Sequence, residues 1–139
     1  MSAREVVRRF YRAFGAGDAP AMAACLAPDV RWCVGAVGVP WSGEVRGRDA
    51  ALRSIAAWRD GVDMLGGERL PDVAEGDVVV VRGRGRYRVR ASGRVVDEQW
   101  VHVWTVQERC GQTTVASFDE YTHPRSPAPT RCLPVRRRG

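Results

Sequence analysis

At 139 residues, 45% hydrophobic and 27% charged, the chain has the size and composition of one globular domain with its own core, which excludes a disordered or fibrous protein. The net charge of +6 suggests nucleic acid until it is divided: segment 124–139 holds five arginines and no acid, while 17 arginines face 16 acids in 1–123. A field that gathers phosphates covers a face of the fold, so the nearly neutral domain is not expected to bind nucleic acid.

The first residues, Met1-Ser2-Ala3-Arg4-Glu5, open straight into an amphipathic pattern without a signal-peptide core. No apolar run approaches the roughly 18 residues of a membrane span, so a cytoplasmic protein without a membrane partner is expected. Ser2 can cap a helix on which Val6, Val7, Phe10, Tyr11 and Phe14 recur at helical spacing. A second short helix spans 19–26 and stops at Ala27-Pro28-Asp29. A strand at 30–34 carries Trp32, a Gly/Pro loop at 35–47 carries Trp41, and Asp49 caps a third helix running to Trp58. The period then changes. Residues 69–73 are a strand candidate, and long strands at 78–90, 95–107 and 113–122 are separated by turns at 91–93 and 109–112. Three helices followed by an antiparallel meander predict an α+β domain over 1–123, with the helices on one face of the sheet. Residues 124–139 form a Pro/Arg-rich tail, expected to be extended and mobile.

Cys25, Cys33, Cys110 and Cys132 lie far apart with no C-x-x-C, so they are expected to be reduced thiols. With two histidines and no H-E-x-x-H, no metal site is expected. The chemistry concentrates in the last hairpin. In Glu98-Gln99-Trp100-Val101-His102-Val103-Trp104 the even positions share one face, as they do in Phe118-Asp119-Glu120-Tyr121-Thr122. A turn centred on Gly111 pairs Trp104 with Phe118, His102 with Glu120 and Trp100 with Thr122, whereas a one-residue slip sets His102 against Asp119. An imidazole and a carboxylate then meet among aromatic rings, where lost solvation disfavours the carboxylate and a histidine neighbour restores it. Such a pair either passes protons near neutral pH or, mutually satisfied, only fixes the strand register.

The preceding strand alternates Arg82, Arg84, Arg86, Arg88 and Arg90 with Gly83, Gly85, Tyr87 and Val89. One face is an arginine ladder, expected to be solvated or paired with acids. On the other, two glycines leave room into which Tyr87 could donate a hydrogen bond. Trp32, Trp41 and Trp58 suit core packing, with Trp41 placed to line a pocket mouth.

Leu26-Ala27-Pro28-Asp29-Val30-Arg31-Trp32, Gly43-Glu44-Val45-Arg46-Gly47-Arg48-Asp49-Ala50, Val101-His102-Val103-Trp104-Thr105-Val106 and the closing Phe118–Thr122 strand together resemble SnoaL-like proteins of the NTF2-like superfamily, over residues 3–123. The resemblance implies a cone-shaped α+β barrel, its curved antiparallel sheet wrapped around three N-terminal helices. It also implies a homodimer and a deep pocket that works without cofactors, as in polyketide cyclases and ketosteroid isomerase. The chain departs from the pattern at the turn Arg109-Cys110-Gly111-Gln112, usually Asp-Gly-Lys, and at His123, where an Asp is common. The full catalytic sets of the isomerase and of the epoxide hydrolases are absent; His102 and Glu120 fall where SnoaL-like enzymes place a pocket histidine and acid. The expectation is therefore a cofactor-independent cyclase or isomerase acting on a polyketide-like or other apolar metabolite, with a non-catalytic binder of the same fold as the alternative. Glu120 would accept the proton, His102 would be its partner acid, and Tyr11 and Tyr87 would donate hydrogen bonds to a developing oxyanion. Trp32, Trp41, Trp100, Trp104 and Phe118 would hold the substrate.

Overall fold

The computed structural model describes residues 1–36 and 38–124. Helix α1 is Ala3–Ala16: the Ser2 hydroxyl accepts the Glu5 amide at 3.2 Å, and Gly17 ends the helix in the left-handed conformation at φ 67°. Val6, Val7, Phe10 and Ala13 make its buried stripe. Asp18 caps α2, Ala19–Cys25, by accepting the Ala21 amide. Helix α3 is Arg48–Gly61; its N-cap is Gly47, and Asp49 lies inside the first turn instead of capping it. There its carboxylate still complements the free N–H groups of the helix start.

The strands are β1 Leu26–Val34, β2 Gly43–Arg46, β3 Val62–Arg69, β4 Val73–Glu75, β5 Val78–Val89, β6 Val95–Arg109 and β7 Gln112–Pro124. They form one sheet in the order β2-β1-β7-β6-β5-β3, with β4 also paired to β5. The α+β, cone-like architecture is as expected, with two refinements. The curved sheet is unclosed, ending at β2 and β3, and it is mixed, because β1 runs parallel to β7 while the other pairs are antiparallel.

Four strands differ from the sequence expectation. β1 begins at Leu26, within the expected helix end and stop, β2 lies inside the segment read as loop, β3 occupies 62–69, ahead of the candidate at 69–73, and β4 is Val73–Glu75, at and beyond the end of that candidate. Met64-Leu65-Gly66-Gly67 has neither alternation nor strand propensity. Pairing with β5 imposes the extended form there, with a bulge between Met64 and Gly66. The core lies between the inner sheet face and the helices, where Val6, Val7, Phe10, Met22, Ile55, Val79, Trp104, Val115 and Phe118 are all buried.

The register of the last hairpin has an instructive origin. The turn consists of Cys110 and Gly111, both at positive φ (53° and 75°), which sets Arg109 against Gln112 and Val106 against Val115. Continued, that register would oppose His102 to Asp119. The extra residue Ala116 bulges between Val115 and Ser117, so that Thr105 meets Ser117 and His102 meets Glu120. The expected pairing is therefore present, and a bulge produces it, not a turn centred on Gly111. Pro124 closes β7; the remainder of the proposed tail, 125–139 with Cys132, lies outside the described residues.

Candidate active site

The inner face of the sheet, together with α1 and α3, bounds a cavity of about 630 Å³, within the range of small-molecule sites. Every residue singled out in the sequence lines it: Tyr11 from α1, Trp32 from β1, Trp41 from the following loop, Tyr87 from β5, Trp100, His102 and Trp104 from β6, and Phe118 and Glu120 from β7. Phe118 is the hub of its closed end. It is the register partner of Trp32 on one side and of Trp104 on the other. The Trp32 ring therefore stacks on it at 4.0 Å and 19°, and the Trp104 ring lies 4.6 Å away. Such packed rings fix the neighbouring side chains in single rotamers.

Against this wall runs a directed chain of hydrogen bonds. The Trp104 indole N–H, which can only donate, gives its hydrogen to the Tyr11 hydroxyl at 3.0 Å. Tyr11 Oη lies 2.7 Å from His102 Nδ1, and His102 Nε2 lies 2.8 Å from Glu120 Oε2. Burial pushes the Tyr11 phenol well above its ordinary range, so it keeps its one proton. The hydroxyl accepts from Trp104, and its own proton is assigned to Nδ1. The imidazole then carries its hydrogen on Nε2 and donates to Glu120, by this assignment of the tautomer. Glu120 thus arrives as an acceptor with one oxygen held and the other available to the cavity. The Tyr11 proton is already engaged, which makes Tyr11 a residue that positions His102 and not a free donor to a substrate oxyanion. Trp100 stacks on the other side of the imidazole at 4.1 Å and 23°.

Gly83 and Gly85 do leave room, and Trp100 takes it: a Cβ on Gly83 would run into the Trp100 indole and the Glu68 carbonyl oxygen. The sequence reading missed several lining residues. Glu98 stands on the same β6 face as Trp100 and His102, so the strand period alone could have identified it. Its carboxyl is pushed up to about 7, mainly by burial, then by the Glu120 charge, with a hydrogen bond from Tyr87 acting in the opposite direction. Arg69, Met64 and Leu65 line the open end from β3; their signal was lost with the strand itself. The Arg69 guanidinium lies over the Tyr11 ring, 4.2 Å from its centre. Among the described residues no three His, Cys, Asp or Glu side chains converge as a metal site would, and no helix is long and apolar enough to cross a membrane. Cys25, Cys33 and Cys110 are free thiols.

A family model for the SnoaL-like domain matches residues 7–115. Among solved structures, an NTF2-like protein from Burkholderia xenovorans LB400 superposes with a TM-score of 0.77 at 29% identity, covering 87% of this chain and 88% of that one. An NTF2-like protein of unknown function from Burkholderia pseudomallei K96243 gives 0.72 at 28% identity, covering 88% and 92%. A Mesorhizobium loti protein described as a candidate SnoaL-like polyketide cyclase gives 0.68 at 20% identity, covering 87% and 99%, and shares the fold. A search of curated proteins finds no match.

Proposed function

This chain belongs to the SnoaL-like family, and on that premise we propose that it is a cofactor-independent cyclase or isomerase that moves protons on an apolar, polyketide-like metabolite of natural-product biosynthesis. The observation that carries the reading is the Trp104–Tyr11–His102–Glu120 chain, which ends in a carboxylate facing a cavity walled by aromatic rings. Glu120 is the proton acceptor. His102 is its partner acid, holding one carboxylate oxygen through Nε2 so that the other meets the substrate. Trp32, Trp100, Trp104 and Phe118 fold the substrate into a reactive conformer. Trp41 lines the wall beside α3, and the oxyanion is met at the Tyr87 end of the cavity.

Glu120→Gln keeps the shape of the pocket and removes the base, so turnover is expected to fall by roughly two to four orders of magnitude, while ligand affinity changes far less. His102→Asn acts in the same direction, and the double variant loses much less than the sum because the pair works as a unit. Wild-type turnover by folded Glu120→Gln would leave a binding protein of the same fold in place of an enzyme.

We also propose that the protein works in the cytoplasm as a homodimer, its domain ending near residue 123. The outer face of the hairpin supports the dimer: half-buried Val101 and Val103 lie beside the exposed Arg82, Arg84 and Arg86, and Tyr121 is exposed on the same sheet. Sedimentation at micromolar concentration is expected to give the dimer mass; a monomer overturns this.

A further inference from the structure

A second cleft, of about 420 Å³, is bounded by α1, by the connection from β3 to β4 and by Val81 of β5. Tyr11 and Arg69 line both this cleft and the main cavity, so the two hollows meet along a shared wall. The cavity is walled by aromatic rings. The cleft is lined by three arginines, Arg8, Arg12 and Arg69.

The helical period accounts for the first two. Arg4, Arg8 and Arg12 recur every four residues and form one stripe on α1, a spacing at which like charges repel. Asp72 answers the first part of the stripe: its carboxylate lies 2.9 Å from Arg4 Nε and 3.0 Å from Arg8 Nε. Arg12, one turn further on, pairs with no carboxylate among the described residues. Arg69 arrives from the sheet. Register sets it opposite Gly83, which has no side chain, and its guanidinium turns across to α1, 4.2 Å from the centre of the Tyr11 ring. Glu68, its neighbour in sequence, is set against Arg84 instead. Four cations therefore face one acid, and two of them remain for an anion from outside the chain. A guanidinium fork suits a carboxylate or phosphate, whose oxygens accept paired N–H donors. The Glu120 carboxylate inside the cavity repels the same group, so the charges also set a direction.

We propose that the cleft holds an anionic group, a carboxylate or phosphate at one end of the ligand whose apolar body fills the main cavity, and that Arg12 and Arg69 are its binding residues. Arg8, tied to Asp72, completes the wall of the cleft. The proposal rests on the reading of the cavity as a small-molecule site, but not on Glu120 as its base. A ligand held in this way has one orientation only: its charged end lies against α1 and its rings lie against Trp100, Trp104 and Phe118. Arg69, stacked on Tyr11, is already in place before the ligand arrives, so little side-chain freedom is lost on binding.

The test uses two fluorescent probes of one skeleton, neutral N-phenyl-1-naphthylamine and 8-anilino-1-naphthalenesulfonate, which adds a fixed negative charge. The full-length wild type is expected to bind both. In Arg12→Gln/Arg69→Gln the affinity for the sulfonate is expected to fall about ten- to a hundredfold, the worth of a hydrogen bond to a charged group, while the neutral probe changes by less than about twofold. Arg53→Gln/Arg88→Gln removes the same charge from exposed positions outside both hollows and is expected to leave both affinities unchanged. Should the Arg69 substitution disturb the fold, Arg12→Gln alone, on an exposed helix face, is expected to weaken the sulfonate about three- to tenfold. Equal losses for the two probes, an equal loss in the control variant, or a sulfonate indifferent to Arg12 and Arg69 would overturn the proposal. If the neutral probe still binds in that last case, only the anion site falls; if the wild type binds neither probe, the small-molecule reading falls with it. Turnover by Glu120→Gln decides the base separately.

Discussion

At the closed end of the cavity Trp32, Phe118 and Trp104, from the adjacent strands β1, β7 and β6, pack together beneath α1, with exposures of 4%, 3% and 0%. At the open end Met64 and Leu65 stand on the edge strand β3, 52% and 42% exposed, beside a bulge and two glycines. The proposed base and its hydrogen-bond chain belong to the first end, where each ring is held by several others and a small displacement costs packing energy. The second end has few such constraints. A pocket built this way keeps the His102–Glu120 pair rigid, and its mouth can accept variation in the far end of a ligand.

Two glycine substitutions on facing strands put the contrast to a quantitative test. Gly83 lies under Trp100, so Gly83→Ala must displace an indole that is itself stacked on His102; a loss of about 1–3 kcal/mol is expected from the urea midpoint. Gly66 has nothing within 4 Å of an added Cβ and no positive φ, so Gly66→Ala should change stability by less than about 0.5 kcal/mol. Equal losses at the two sites would show the mouth to be as tightly determined as the wall.

A smaller effect concerns the charge between the two ends. The folded-state value of Glu98, about 7, lies above its ordinary 4.5. A raised carboxyl disfavours the folded state once it ionises. Its contribution is complete below about 4.5 and is lost as pH rises through about 7. Solvent screening at this partly exposed side chain moderates the loss. The Tm of the wild type is therefore expected to fall a few degrees relative to Glu98→Gln between mildly acidic and mildly alkaline buffer. An unchanged difference between the two proteins across that range would refute the assignment.

Much of the closed end is legible in the sequence, because period-two alternation fixes which β6 and β7 residues face inward and the His–Glu pairing follows from register. Even there the reason was hidden: nothing in Thr113-Thr114-Val115-Ala116-Ser117 marks Ala116 as the residue that bulges. The open end was not legible. β3 contains adjacent glycines and exposed apolar residues, and its strand form is imposed by β5, so Met64 and Leu65 could not be placed and Arg69, expected to start a strand, instead ends one. Glu98 was passed over for a different reason. The strand period does set it on the inward face of β6, but its burial beside Tyr87 and Glu120 comes from tertiary packing.

The parallel pairing of β1 with β7 ties the order of synthesis to the appearance of the pocket. Trp32 emerges early from the ribosome and its stacking partner Phe118 near the end of the domain, with Glu120 two residues later. The helices and the first strand therefore exist for most of translation with their apolar faces uncovered, and loop-closure entropy delays the contact that covers them. During that interval the nascent chain carries exposed tryptophan and phenylalanine surface of the kind that chaperones hold. The last hairpin, in pairing, buries that surface and brings His102 and Glu120 together in a single event, so a chain truncated before Phe118 lacks both the cover for its core and the proposed His102–Glu120 pair.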